Sequence, residues 1–259
     1  MALDQSSNPV FQRSAPLQES VRGGGPAPEY VADLYNTPAR LTVDDVMVKT
    51  GVLLGLLVTT GAAAWVLDVG FGVVAVAALV GFVLALVNIF KREVSPPLVL
   101  AYAAVQGIAV GGISAAYEGQ YRGIVLQAVV GTVAVFGAVA MGYKTGFLKA
   151  TPKFVKVVTY GFFGLFAVVL LNLLVGLFGT GDPLGIRGGN TGLSVLFSLA
   201  FITFGALTFV LDFDQAERMV RAGVPERESW RIAFGLVVGL VWLYLEILRL
   251  LSYLQRGER

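Results

Sequence analysis

From Lys49 onward, long uncharged apolar stretches alternate with short polar or charged breaks. A helix rising about 1.5 Å per residue needs about 20 apolar residues to cross a hydrocarbon core. The pattern predicts spans at residues 50–67, 69–90, 98–117, 123–142, 157–178, 193–211 and 232–254. The first six hold no Asp, Glu, Lys or Arg, and Asp68 alone separates the first two, which predicts a very tight hairpin. No soluble fold explains six such runs. The expected class is therefore an all-α integral membrane protein, a bundle of seven transmembrane helices.

Residues 1–45 break the pattern. They are rich in Pro, Ser, Gly, Asn and Gln, with the run Gly23-Gly24-Gly25-Pro26-Ala27-Pro28. This composition predicts a flexible cytoplasmic tail ahead of a membrane domain at 46–259. It does not read as a signal peptide, because no apolar core follows a basic start. Thr42 is placed to cap the first helix, and Asp44 and Asp45 suit the positive end of its dipole.

Composition supports the membrane class and narrows the chemistry. Of 259 residues, 56% are hydrophobic and 14% charged, against about 25% charged in a soluble domain. There is no cysteine and no histidine. Disulfides, thiol chemistry and imidazole bases or ligands are thereby excluded, so any proton chemistry must run on carboxylates. A net charge of +2 gives no reason to expect nucleic acid as a partner.

The placement of the charges predicts orientation. With the N-terminus inside, the inner segments carry Arg40, Lys49, Lys91, Arg92, Lys144, Lys149, Lys153, Lys156, Arg218, Arg221, Arg227 and Arg231. The outer ones carry only Arg122, Arg187, Arg256 and Arg259. The positive-inside rule then favours a cytoplasmic N-terminus and, with seven spans, an external C-terminus. The Ala, Val, Gly and Arg bias suggests a bacterial plasma membrane.

Gly51-xxx-Gly55, Gly107-xxx-Gly111 and Gly235-xxx-Gly239 repeat the spacing that lets helix backbones approach, and are expected to pack within the chain. Asn88, Gln106, Gln127 and Asn172 are expected to form hydrogen bonds between helices.

Intramembrane carboxylates are the informative residues, because a charge there is costly and faces a cavity or a partner. Glu246 lies inside the seventh span, within Trp242-Leu243-Tyr244-Leu245-Glu246-Ile247-Leu248-Arg249. Its structural alternative is an i, i+3 ion pair with Arg249. Asp212 and Asp214 close the sixth span and, two residues apart, point to different faces. Gly179-Thr180-Gly181-Asp182 matches a GxGD string of intramembrane aspartyl proteases but falls in a predicted outer loop. No phosphate loop or HExxH helix is present. The expectation is a protein that is not an enzyme and has no cofactor.

These residues resemble the Bax inhibitor family (the transmembrane Bax inhibitor motif proteins), and more closely a bacterial branch of it. Leu211-Asp212-Phe213-Asp214-Gln215 and Leu243-Tyr244-Leu245-Glu246 carry the resemblance most specifically, with Asn8-Pro9-Val10-Phe11 and Thr42-Val43-Asp44-Asp45-Val46 in support. The resemblance implies seven helices around a central last helix. It also implies a proton-sharing pair of aspartates on helices six and seven that senses pH and gates a calcium leak. Asp212 matches the first aspartate, and Glu246 stands where the second would be, one methylene longer. The stretch between them is also longer than in relatives.

The expected function is a pH-sensitive cation leak, with Asp212 and Glu246 as sensor and gate and candidate calcium contacts, Asp214 and Arg249 secondary, and calcium the candidate transported ion. The alternative is a membrane-embedded interaction protein regulating a membrane protease or another partner. If Asp212 and Glu246 are to meet, helix six must continue to about Arg218.

Overall fold

The computed structural model describes residues 39–177 and 192–257. The sequence readings on the tail up to residue 38, on Asn8-Pro9-Val10-Phe11, on Gly179-Thr180-Gly181-Asp182 and on Arg187 lie outside the described residues. The chain divides into the units Met1–Arg40 and Leu41–Arg259, and the described helices belong to the second.

Seven helices are long and apolar enough to cross a membrane. They are α1 (Val43–Val66), α2 (Phe71–Phe90), α3 (Pro96–Gln120), α4 (Ile124–Lys144), α5 (Pro152–Leu177), α6 (Gly192–Arg221) and α7 (Ser229–Gly257), with a 3-10 turn at Glu226–Glu228 before α7. No strand occurs among the described residues. Each predicted span is thus found. The helices outrun the apolar stretches because charged residues at a membrane boundary remain helical while their heads stay in water. The largest extension is in α6, which continues ten residues past Leu211 to Arg221.

Local signals act where expected. Thr42 accepts from the Asp45 amide while the Asp45 carboxylate accepts from the Thr42 amide and hydroxyl, a reciprocal capping box. Thr42→Ala should therefore lower the thermal stability of the detergent-solubilised protein by about 1 kcal/mol; an unchanged melting curve would mean the box contributes nothing. Between α1 and α2 the turn is as tight as predicted, with Asp68 at φ 47°, a left-handed conformation that Asp tolerates better than most residues.

The last helix is the hub of the bundle. α7 packs on α1, α3, α4 and α6, and its Trp242 meets Phe162 and Phe166 of α5 and Phe201 of α6. Val237, Leu243 and Leu248 of α7 are fully buried. α2 packs on α3 and turns Leu79, Phe82 and Phe90 outward, as a lipid-facing helix does. In lipid, helices associate through close packing rather than by the hydrophobic effect, and small residues decide how close they come. Gly107 and Gly111 of α3 fit against α1 so tightly that a Cβ on Gly111 would stand 2.2 Å from the Gly61 carbonyl oxygen. Gly239 likewise leaves room for Phe209. Gly51, Gly55 and Gly235, by contrast, face open space, so only one of the three glycine pairs acts as a whole.

Candidate functional site

Polar linkages hold α7 to its neighbours along its length, as far as its last turn, where Gln255 donates to Gln127 and Arg256 to the Tyr121 hydroxyl. At the end of the bundle where the lysines and arginines collect, Lys49 of α1 donates to Glu226 Oε1 (2.7 Å) and Ser229 Oγ (2.6 Å) and lies over the Trp230 ring. Arg231 donates to the backbone carbonyls of Lys91 and Arg92, tying the start of α7 to the α2–α3 connection. Near mid-bundle, Ser114 Oγ and Tyr244 Oη are 2.7 Å apart. The Ser114 proton is directed to the Val110 carbonyl, so Tyr244 is the donor between the two.

A further linkage contains Glu246. Its side chain is buried, at 4% exposure. Oε2 accepts from Arg249 Nη1 at 2.7 Å, and Oε1 accepts from Ser198 Oγ of α6 at 2.9 Å. Helical spacing explains the first contact, since residues three apart share a face. Antiparallel packing explains the second. Ser198 is 2% exposed and lies one turn from the fully buried Ser194, which places two hydroxyls on the α6 face that meets α7. Both carboxylate oxygens are thus engaged, one by a charge and one by a neutral donor, which is what a buried ion needs to be tolerated. The ion pair weighed for Glu246 from the sequence is present; Ser198 was missed. Its signal was a pair of serines four apart in an otherwise apolar span.

Asp212 is elsewhere. The pairing of Ser198 with Glu246, of Gly205 with Trp242 and of Phe209 with Gly239 sets the antiparallel register. Asp212 follows Ser198 by 14 residues, about 21 Å along the helix. It therefore stands level with Gly235 and Leu236, in the basic half of the bundle, while Glu246 stands in the other half. The continuation of α6 does sink Asp212 away from the helix end, as the sequence reading required, but sinking it does not bring it to Glu246. The expected proton-sharing pair, and a calcium ion held jointly by the two, are not what this register builds. The physical reason is where each acid sits on its helix. Asp212 stands 9 residues before the end of α6 at Arg221, whereas Glu246 stands 17 residues after the start of α7 at Ser229, so the two acids lie at different depths.

Asp212 is half-buried and has no ion-pair partner among the described residues. Asp214 forms an i, i+4 ion pair with Arg218 at 2.7 Å, with Arg218 largely exposed. With Arg218 in water, such an i, i+4 pair contributes about 0.3–0.5 kcal/mol. Glu217 accepts from the Tyr143 hydroxyl of α4 at 2.7 Å. No group of three or more Asp or Glu residues that would hold a metal ion occurs among the described residues.

A hub helix carrying a buried Glu and a neighbouring helix carrying Leu-Asp-Phe-Asp are the features on which the sequence resemblance rested. No curated protein matches the chain. The family model described as Bax inhibitor 1 like matches residues 8–256, and the protein accordingly belongs to the Bax inhibitor 1 like family of multi-pass membrane proteins.

Proposed function

We propose that the protein is a pH-sensitive cation leak, with calcium as the candidate ion, whose switch is the Glu246–Arg249–Ser198 linkage rather than a proton shared by two acids. The observation that carries this reading is Glu246 itself, a carboxylate buried in the hub helix and bonded to a cation on its own helix and to a hydroxyl on α6. Ionised Glu246 satisfies Arg249. Protonated Glu246 leaves the guanidinium without its counter-charge in an apolar setting, which drives Arg249 toward the polar boundary and loosens α7 against α6. The bundle then has two arrangements biased by one proton.

This arrangement fixes a sign. In a proton-sharing pair, the protonated form holds the helices together. In the Glu246–Arg249 pair, the ionised form does, so conduction should rise as pH falls. Asp212, half-buried and unpaired among the described residues, supplies a carboxylate to attract a cation at the basic end. A leak needs weak binding of this kind, not a tight resident site.

The test is calcium flux into liposomes containing the purified protein between about pH 8 and pH 5. Wild type should conduct more at acid pH. Glu246→Gln, which has no proton to gain, should conduct at a level that no longer follows pH. A wild-type pH profile in Glu246→Gln would end this assignment of the switch. Absence of flux at every pH, from well-folded protein, would end the leak reading and return attention to the partner-regulating alternative.

A further inference from the structure

Trp65 lines two cavities. One, of about 470 Å³, opens between α1 and α4 and is floored by α3 and α7. Its walls are apolar, among them Leu54, Val58 and Ala62 of α1 and Val129 and Val133 of α4. The polar side chains that reach it are already engaged. Ser114 and Tyr244 bond to each other, and Thr132 donates to the Ala128 carbonyl. Below Trp65 at its rim, the groove therefore offers a polar solute no free side chain among the described residues, and desolvating such a solute there would be uncompensated. A hydrocarbon chain loses nothing on entering.

The second cavity, of about 490 Å³, is lined by Trp65, Asp68, Ala115, Glu118, Gly119 and Arg122. It lies at the end of the bundle away from the lysines. Glu118 is occupied, since its two oxygens accept from the Gly123 and Val125 amides at the start of α4. Asp68 and Arg122 are exposed and have no ion-pair partner among the described residues. The mouth thus presents one free anion and one free cation beside a Trp at the groove's rim, a residue type enriched at membrane interfaces.

We propose that the apolar groove and the neighbouring cavity together bind a zwitterionic phospholipid carrying a primary amine, with one acyl chain in the groove. The chain would lie along α1, the ammonium at Asp68 and the phosphate at Arg122. Three observations converge. From Leu54 to Trp65 the apolar groove runs 11 residues, about 16 Å, which matches one leaflet of a hydrocarbon core about 30 Å thick. Its volume suits a chain, whereas a partner helix about 10 Å across does not fit. The two unpaired charges at its mouth have the signs of a zwitterionic headgroup. The site is independent of Glu246 and stands or falls apart from the leak.

Native mass spectrometry of the delipidated protein, titrated with phosphatidylethanolamine, phosphatidylcholine or phosphatidylglycerol, tests this. Wild type should retain one phosphatidylethanolamine in preference to the other two. Ala62→Phe projects a ring into the groove from an exposed position and should lower occupancy about tenfold. The exposed double variant Asp68→Asn, Arg122→Gln should lower it about three- to tenfold and erase the headgroup preference. Equal retention of all three lipids by wild type, or unchanged retention by the double variant, would overturn the proposal. If Ala62→Phe melts far below wild type without lipid, the exposed double variant alone decides.

Discussion

Glu246→Gln should lower stability in bicelles by up to about 3 kcal/mol, because it removes the counter-charge of Arg249 and leaves the guanidinium within the bundle. Breaking a buried pair by deleting one partner costs about 3–5 kcal/mol. The lower figure applies here because the Arg249 side chain is 27% exposed and its long stem can carry the charge toward the polar boundary. Arg249→Met should behave differently. It strands a carboxylate, and a stranded carboxylate can take up a proton where a guanidinium cannot lose one. The Arg249→Met variant should therefore be destabilised at neutral pH and recover as the medium is acidified, whereas Glu246→Gln should not recover. The combined variant, with both charges gone, should lie closer to wild type than either single change predicts, with a coupling of about 0.5–3 kcal/mol. Additive losses in this cycle, read from unfolding curves of the four proteins, would show that the 2.7 Å contact is not an energetic pair.

The cycle also separates stability from switching. If protonation of Glu246 opens the bundle, then Glu246→Gln should be both less stable and insensitive to pH in flux, and the double variant should regain stability without regaining pH dependence. A structural pair with no role in conduction would lose stability in Glu246→Gln while the flux kept its wild-type pH dependence.

The spans were legible in the sequence because lipid imposes a single requirement, about 20 apolar residues with their backbone bonds satisfied inside the helix. The Thr42 cap was legible for a similar reason, since its partner lies three residues away. Glu246 was legible as unusual, and Arg249 as its neighbour, because both share one helix. What sequence could not supply was register between helices. Whether Asp212 meets Glu246 depends on how α6 slides along α7, and that is set by Phe209 seated on Gly239 and Gly205 facing Trp242, contacts between residues 30 or more apart in the chain. The same gap explains Ser198, an ordinary residue until α7 places an acid beside it. It also explains the glycines, where spacing alone does not distinguish Gly107-xxx-Gly111, pressed on α1, from Gly51-xxx-Gly55, facing open space.

The glycine contrast leads to the second large effect. Gly111→Ala should destabilise the protein by about 1–3 kcal/mol, and Gly55→Ala should be close to neutral. At Gly111 the added methyl would stand 2.2 Å from the Gly61 carbonyl oxygen and 2.7 Å from its carbonyl carbon and Cα. These are backbone atoms, which cannot rotate aside, so α1 and α3 must separate along their whole contact. Gly107→Ala should act alike, with its methyl 2.4 Å from the Leu57 carbonyl oxygen. Because lipid supplies no hydrophobic drive to reseal the helices, lost packing has little to replace it. The consequence reaches the groove, since Gly61 and Gly111 line it together with Leu54 and Trp65. Displacing α1 alters its width, so Gly111→Ala should lose lipid as well as stability, while Glu246→Gln should lose stability and keep its lipid. Unfolding and lipid retention measured on the same three variants distinguish the two sites. If Gly111→Ala proved as stable as Gly55→Ala, the close approach of α1 and α3 would have to be abandoned, and with it the geometry of the groove.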